Sequence, residues 1–309
     1  MTKPISVSFC INDAYAQHLA VVIASILIHN PEPEFVFHVL HRDIRPETEA
    51  KVRQLESMYP NHRIVFHRID ASAFDRFPIP KTIAHITQET YYRYLLPQVL
   101  KDEERTIYSD VDVLCIGGDI RNLWGMDLGG KPMAAIRKLS GNDATYIDHM
   151  ERMGIPVGSP YFFAGLFVMD LAALREERFT EKCMAKTEEK SDELIFPDMD
   201  VINVVMAGRM SEIDPSWNMT DRFSFLRRGV FIWHFVCQTQ KPWCNLWKNK
   251  TWPIYLKYLR KTPYRGNALR FVWDHIKGFF LYRYTKNGTT RYLVCGIRVW
   301  KRREGERHK

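Results

Sequence analysis

In Thr106-Ile-Tyr-Ser-Asp110-Val-Asp112-Val-Leu-Cys115, two carboxylates one residue apart interrupt a run of β-branched and aromatic residues. On extended backbone, residues i and i+2 face the same side, so the two charges repel. Sharing a proton or a cation relieves that repulsion. A hard divalent ion such as Mn²⁺ or Mg²⁺ accepts both carboxylates and keeps room for phosphate oxygens. The pattern alone is weak, because Asp-x-Asp occurs twice among 18 Asp. Its context is what informs: a strand runs straight into the pair and continues apolar. On the residues alone, a polar turn at a strand end stays open. The second pair, Pro197-Asp198-Met199-Asp200, opens a helix, where capping and the helix dipole favour carboxylates. Phe231-Ile-Trp-His234-Phe235 places a histidine among apolar neighbours, either as a core residue or as a ligand. Beyond it, Lys241-Pro242-Trp243 supplies a cation able to pair with phosphate.

The elements that must position these groups alternate. Ile5–Ile11, Phe35–Leu40, Arg63–Ile69 and Thr106–Ile116 read as strands. Between them, Tyr15–Ile28, Glu47–Met58 after Pro46, and Thr87–Leu96 have helical periodicity. Such alternation predicts a mostly parallel sheet with helices on both faces, and ligands outside the carboxyl ends of its strands. Downstream, Gly129-Gly130 reads as a turn and Pro132–Ile136, Phe162–Met169 and Val230–Phe235 as strands. Leu171–Glu189 reads as one long helix and Asp198–Ala207 as a shorter one. A boundary is expected near Trp247, giving an α/β domain over 1–246 and a basic, helical and aromatic extension over 247–309.

Composition is that of a globular chain, 46% apolar and 26% charged over 309 residues, which excludes disordered and fibrous classes. The net charge of +8 is unevenly spread. Asn245–Lys309 holds 17 Lys/Arg and 3 Asp/Glu, or +14, leaving −6 for the rest. Six scattered cysteines without a CxxC pair read as idle or buried thiols. No apolar run approaches the roughly 20 residues of a membrane span, and no secretory signal is visible, so the chain reads as cytoplasmic.

Taken together, the residues form a pattern. Asp110-Val111-Asp112, Leu123-Trp124, Asp127-Leu128-Gly129, Tyr161-Phe-Phe-Ala-Gly165, Asp198-Met-Asp200-Val-Ile-Asn203, His234 and Lys241-Pro242-Trp243 follow one another in an order and spacing that resembles glycosyltransferase family 8. The resemblance covers about residues 5–245 and is nearest to the bacterial galactosyl- and glucosyltransferases of lipopolysaccharide and lipooligosaccharide cores. It implies a GT-A, Rossmann-like fold and retaining transfer of a hexose from a UDP-sugar with Mn²⁺ (or Mg²⁺). By position, it implies that Asp110, Asp112 and His234 ligate the metal and that Lys241 reaches the diphosphate. It further implies that Phe9, Cys10, Asn12 and Val111 lie along the nucleotide, that His85, Thr90 and Arg93 complete the nucleotide and sugar pocket, and that Asp198 holds the donor sugar.

The chain departs from the family pattern at three positions. Phe163 stands where the family carries Asn, Met199 where it carries Gln, and Arg137 where it carries Asp. All belong to the donor-sugar side, so the nucleotide machinery reads as kept and the sugar pocket as rebuilt, for another donor or for weaker transfer. A glycolipid or oligosaccharide is the implied acceptor. Aromatics and cations interleave in the tail, from Trp252 to Trp300, which suits an anionic membrane surface at the inner face of the plasma membrane. Single-stranded nucleic acid is the lesser expectation. The rival activities are a metal-dependent nucleotidyltransferase and a non-catalytic nucleotide-sugar-binding protein.

Overall fold

In the computed structural model, which describes residues 3–80, 86–138, 144–155, 158–220, 228–236, 241–244, 251–286, 289–295 and 297–303, the chain divides into two compact units, Met1–His234 and Phe235–Lys309. The first unit opens with β1 (Ile5–Cys10), α1 (Ala16–His29), β2 (Phe35–His41), α2 (Pro46–Arg53), α3 (Leu55–Met58) and β3 (His62–Arg68). A 3-10 segment, Gln88–Leu95, leads into α4 (Leu96–Val99), β4 (Arg105–Ser109), β5 (Val113–Cys115) and α5 (Ile120–Trp124). Then come β6 (Met133–Arg137), α6 (Ala144–Arg152), β7 (Phe162–Asp170), α7 (Leu171–Glu176), α8 (Phe179–Glu189), α9 (Pro197–Val205), β8 (Met210–Glu212) and β9 (Ile232–His234).

The strands form a seven-stranded sheet in the order β3-β2-β1-β4-β7-β6-β8, and β5 pairs with β9 in a separate ribbon. β1 to β4 are mutually parallel, β6 and β8 are parallel to each other, and β7 runs against both its neighbours. This is the mostly parallel α/β sheet that the alternation predicts. Because β7 is reversed, its start meets the carboxyl ends of β1, β4 and β6 along one edge. Cys10, Asp110, Lys138 and Phe162 are therefore set side by side there. The centre of the sheet is pinned by a hydroxyl ladder. Ser6 Oγ donates to Thr106 Oγ1 (3.0 Å), which donates in turn to Ser8 Oγ (3.2 Å). Helix α1 is apolar almost all round, as a doubly covered helix must be. Its end holds the chain after the carboxylate pair: Ser25 Oγ accepts from the Cys115 amide (3.1 Å) and Asn30 Oδ1 from the Ile120 amide (2.9 Å).

Besides the short break at Gln54 between α2 and α3 and the 3-10 form of Gln88–Leu95, two elements differ from the sequence reading. The stretch Thr106–Ile116 is two strands, broken at Asp110–Asp112 so that the second half turns away to pair with β9. The helix expected over Leu171–Glu189 is α7 and α8, interrupted at Glu177-Arg178 with Arg178 in the left-handed region (φ 57°). The polar run Arg175-Glu-Glu-Arg178 has nothing to bury, and the break lets Phe179 enter the core at 1% exposure.

Four histidines crowd the β2–β3 edge. His38 Nδ1 lies 2.9 Å from His67 Nε2, and His41 Nδ1 accepts from the Ile44 amide at 3.0 Å. Burial, then the nearby charges of His67 and Arg63, hold His38 down to about 3. Burial likewise lowers His41, His62 and His67. These rings fold neutral, so below the unfolded value of about 6.5 the unfolded chain binds more protons and stability falls as pH falls. Glu103, raised by burial, acts in the opposite sense but is one carboxyl against four imidazoles. Urea midpoints are expected to drop between pH 7.5 and pH 5, with His38 alone contributing about 2 kcal/mol.

The second unit carries α10 (Trp252–Leu259), α11 (Asn267–Phe280) and an antiparallel sheet of β10 (Leu281–Lys286), β11 (Thr289–Val294) and β12 (Ile297–Arg303). The helices match the helical reading of the extension. The sheet adds to it, because cations and apolar residues that alternate with period two build a strand face as readily as an interfacial pattern. Among the described residues no helix is long and apolar enough to cross a membrane.

Candidate active site

Strand β4 delivers Asp110 to the carboxyl edge, and its amide donates to the Gly165 carbonyl at 2.9 Å. Antiparallel pairing sets Val113 of β5 opposite His234 of β9, which brings the imidazole over the carboxylate pair. His234 Nε2 is 3.1 Å from Asp112 Oδ1 and 3.9 Å from Asp110 Oδ2. One ligand atom from each of Asp110, Asp112 and His234 lies within 4.8 Å of the others. Two carboxylates and a neutral imidazole are a suitable donor set for Mn²⁺ or Mg²⁺. The orientation of the ring fits a ligand. Nδ1 meets Asn218 Oδ1 at 2.8 Å, which turns Nε2 toward the carboxylates.

Gly165 makes this approach possible. A β-carbon there would overlap Cε1 of His234 and lie 2.9 Å from its Nδ1 and 3.1 Å from Asp110 Oδ2. Gly165→Ala is accordingly expected to push the imidazole out of place, costing about 1–3 kcal/mol of stability. Metal affinity should fall roughly ten- to a hundredfold, as for loss of a ligand-orienting contact. Titration calorimetry with Mn²⁺ checks this.

Behind the cluster lies a buried ionic bridge. Arg93 Nη2 contacts Asp110 Oδ1 at 3.1 Å, and Nη1 contacts Asp198 Oδ2 at 3.0 Å. Its guanidinium lies 4.5 Å from the centroid of the Tyr108 ring and donates to the Ala164 carbonyl. Tyr108 Oη donates to Asp110 Oδ1 (2.7 Å) and Thr90 Oγ1 to Asp198 Oδ1 (2.6 Å). Burial works against the charge on Arg93, but Asp198, Tyr108 and Asp110 outweigh it and hold its pKa above the ordinary value. Burial pushes Asp198 up, opposed by Arg93 and the Thr90 hydrogen bond.

The second acidic pair divides its work. While Asp198 meets Arg93 and Thr90, Asp200 is fully buried and accepts from the amides of Ile195 (2.9 Å) and Phe196 (2.8 Å). Asp200 also accepts from Tyr161 Oη and lies 3.1 Å from His149 Nε2 on α6.

On the β1 side, Cys10 is half-buried at the edge, and burial pushes its thiol up, so it stays protonated. Asn12 Nδ2 donates to Glu89 Oε2 at 3.3 Å, whereas its buried Oδ1 has no hydrogen-bond partner. Phe9 is wholly buried and packs against Phe37 (6.2 Å between centroids). Val111 is buried between the two carboxylates. His85 lies outside the described residues. Lys241, in the second unit, is buried with Nζ 6.0 Å from the Trp243 centroid.

Phe163 is half-buried at the start of β7, and Met199 packs against Tyr161, Met150 and Met153. Arg137 ends β6 exposed and paired with Glu212 at 3.3 Å. Sequence reasoning missed Asn218, Gly165 and Tyr108 as supports of the cluster. Only the alternation that points Tyr108 and Asp110 to one side of β4 signalled any of them.

Comparison with known proteins accords with this arrangement. The chain is 26% identical over 276 residues to general stress protein A of Bacillus subtilis, covering 82% of this chain and 93% of that protein. It is 25% identical over 278 residues to the lipopolysaccharide 1,3-galactosyltransferase of Salmonella typhimurium, covering 85% and 80% respectively. Among solved structures, the galactosyltransferase LgtC in complex with donor and acceptor sugar analogues superposes with a TM-score of 0.73 at 23% identity, covering 84% of this chain and 96% of LgtC. That likeness identifies the fold as GT-A. Residues 6–246 match Glycosyl transferase family 8, and the chain belongs to that family.

Proposed function

We propose that the chain transfers a hexose, galactose or glucose, with retention from a UDP-sugar to a glycolipid or oligosaccharide acceptor of the lipopolysaccharide type. The observation that carries this is the convergence of Asp110, Asp112 and His234 at the carboxyl edge of the sheet in a family 8 chain. Bound there, Mn²⁺ or Mg²⁺ supplies Lewis-acid stabilisation of the leaving diphosphate. The chain's own residues do the rest. Asp110, Asp112 and His234 fix the ion, Asn218 fixes the tautomer, and Lys241 adds a positive charge for the diphosphate. Asn12, with an unpaired buried oxygen, and Cys10 lie along the nucleotide, with Phe9 and Val111. Thr90 and Arg93 close the pocket and set Asp198 on the donor sugar.

Both carboxylates of Asp198 and Asp200 are already held by donors. This supports arrival of the acceptor hydroxyl on the leaving-group face rather than a covalent sugar intermediate. Apolar Phe163 and Met199 at the sugar side support a donor whose hydrogen bonding differs from the family's common one. Residues 247–309 form the extension. Its exposed Leu269, Trp273, Phe280, Ile297 and Trp300, among basic residues, support seating on an anionic membrane at the inner face.

The test is UDP release by the purified protein with Mn²⁺ across a panel of UDP-sugars without acceptor. Slow metal-dependent hydrolysis of one donor, restored to transfer by a lipopolysaccharide-type acceptor, is expected. Failure to bind UDP would sink the reading, and pyrophosphate release from UTP with a sugar 1-phosphate, forming a UDP-sugar, would assign a nucleotidyltransferase instead.

A further inference from the structure

Lys241–Cys244 form a turn in which the Cys244 amide donates to the Lys241 carbonyl at 2.9 Å. Proline suits the second position of such a turn. The turn's own hydrogen bond leaves the Pro242 carbonyl unused, and within the second unit His275 of α11 meets it, with Nε2 at 3.1 Å. The ring is buried, and its Nδ1 lies 2.7 Å from the Phe271 carbonyl. A carbonyl oxygen only accepts, so the contact to Pro242 is a hydrogen bond donated by Nε2–H. The ring also packs on two aromatic side chains, 4.8 Å from the Trp252 centroid and 4.4 Å from that of Phe271.

A second path joins the same partners. Phe271 packs on Tyr255 (5.3 Å), Tyr255 on Trp243 (5.3 Å), and the Trp243 ring faces the Lys241 ammonium. The charged groups around this core are few. On α11, Asp274 pairs with Arg270 (3.9 Å) and Lys277 lies over Trp273 (5.3 Å), while on α10 Lys257 lies over Tyr258 (5.6 Å). Lys241 is the cation of the turn itself. Among the described residues of this unit Asp274 is the one carboxylate.

We propose that His275 is a positioning residue for Lys241. Through Nε2 it clamps the Pro242 carbonyl to α11 and so fixes the turn that presents the ammonium. The inference rests on the reading of Lys241 as the partner of the donor diphosphate. It gives the extension a part in donor binding.

Two measurements on the full chain test it. Nitrogen NMR of the histidine side chains should show Nε2 of His275 protonated, and a bare Nε2 would overturn the clamp. UDP affinity with Mn²⁺ then separates positioning from packing. In His275→Gln the amide reaches as Nε2 does, and affinity should be kept. In His275→Asn it reaches only as Nδ1 does, and affinity should fall roughly tenfold, as for a lost hydrogen bond. Equal losses in the two variants would overturn the proposal, since a ring that merely fills an aromatic core is missed equally in both. In a Lys241→Ala background, His275→Asn should cause no further loss. If Lys241→Ala weakens UDP binding and His275→Asn does not, the positioning role alone falls. If Lys241→Ala has no effect, the reading of Lys241 falls and the positioning role with it.

Discussion

Asp112→Asn is expected to lower sugar transfer roughly a thousandfold, the rate equivalent of the several kcal/mol that metal-assisted charge stabilisation contributes. Its folding should be nearly unchanged. Asp112 sits at the rim of the cluster, 3.1 Å from His234 Nε2 and 14% exposed at the side chain, so an amide there is tolerated. Asp110→Asn should lose as much activity and also unfold at a lower temperature. The difference lies in what Asp110 Oδ1 already does: it accepts from Tyr108 and is a counter-ion of Arg93. Calorimetry with Mn²⁺, UDP release and thermal unfolding, run on both variants, separate the two roles. Retained Mn²⁺ affinity in Asp112→Asn would remove that residue from the ligand set.

Arg93→Met should be the most destabilising single change in the first unit, at about 3–5 kcal/mol, because it strands buried charge instead of deleting it. Asp198, 8% exposed at its side chain, and Asp110 would lose a shared cation, and the Ala164 carbonyl would lose a donor. For a unit of this size the unfolding midpoint should drop by roughly ten degrees. Arg93→Lys keeps the charge but not the fork that spans two carboxylates. It should recover part of the stability while leaving Asp198 misplaced, with KM for the donor raised more than kcat is lowered. A methionine variant that melts with the native protein would show that the bridge does not hold this region together.

What was legible in the sequence was local. Alternating apolar runs gave β1, β2, β3, β6 and β7 within a residue, since a buried strand announces itself by composition. Asp110 and Asp112 stood out because carboxylates interrupt such a run. The second acidic pair was read as one feature, yet Asp198 turns to Arg93 and Asp200 to the Ile195 and Phe196 amides. Neighbours on a helix diverge by 100° per residue, and what each meets is decided by other elements. Gly165 and Asn218 were illegible for the same reason. One matters for the atom it lacks beside His234, the other for a single bond to a ring 16 residues away. The second-unit sheet was missed because cations hid its alternation.

The pairing of β5 with β9 also sets when the metal centre comes into being. Its ligands are separated by 122 residues from Asp112 to His234, and they meet only after β9 has returned to the ribbon. A nascent chain that has made the first carboxylates holds no three-ligand site, so early capture of the wrong ion is weak and reversible. Closure of so long a loop is slow in the contact-order sense, and the binding free energy accrues only to the finished unit. Mn²⁺ uptake during refolding is expected to follow the pairing of β5 with β9.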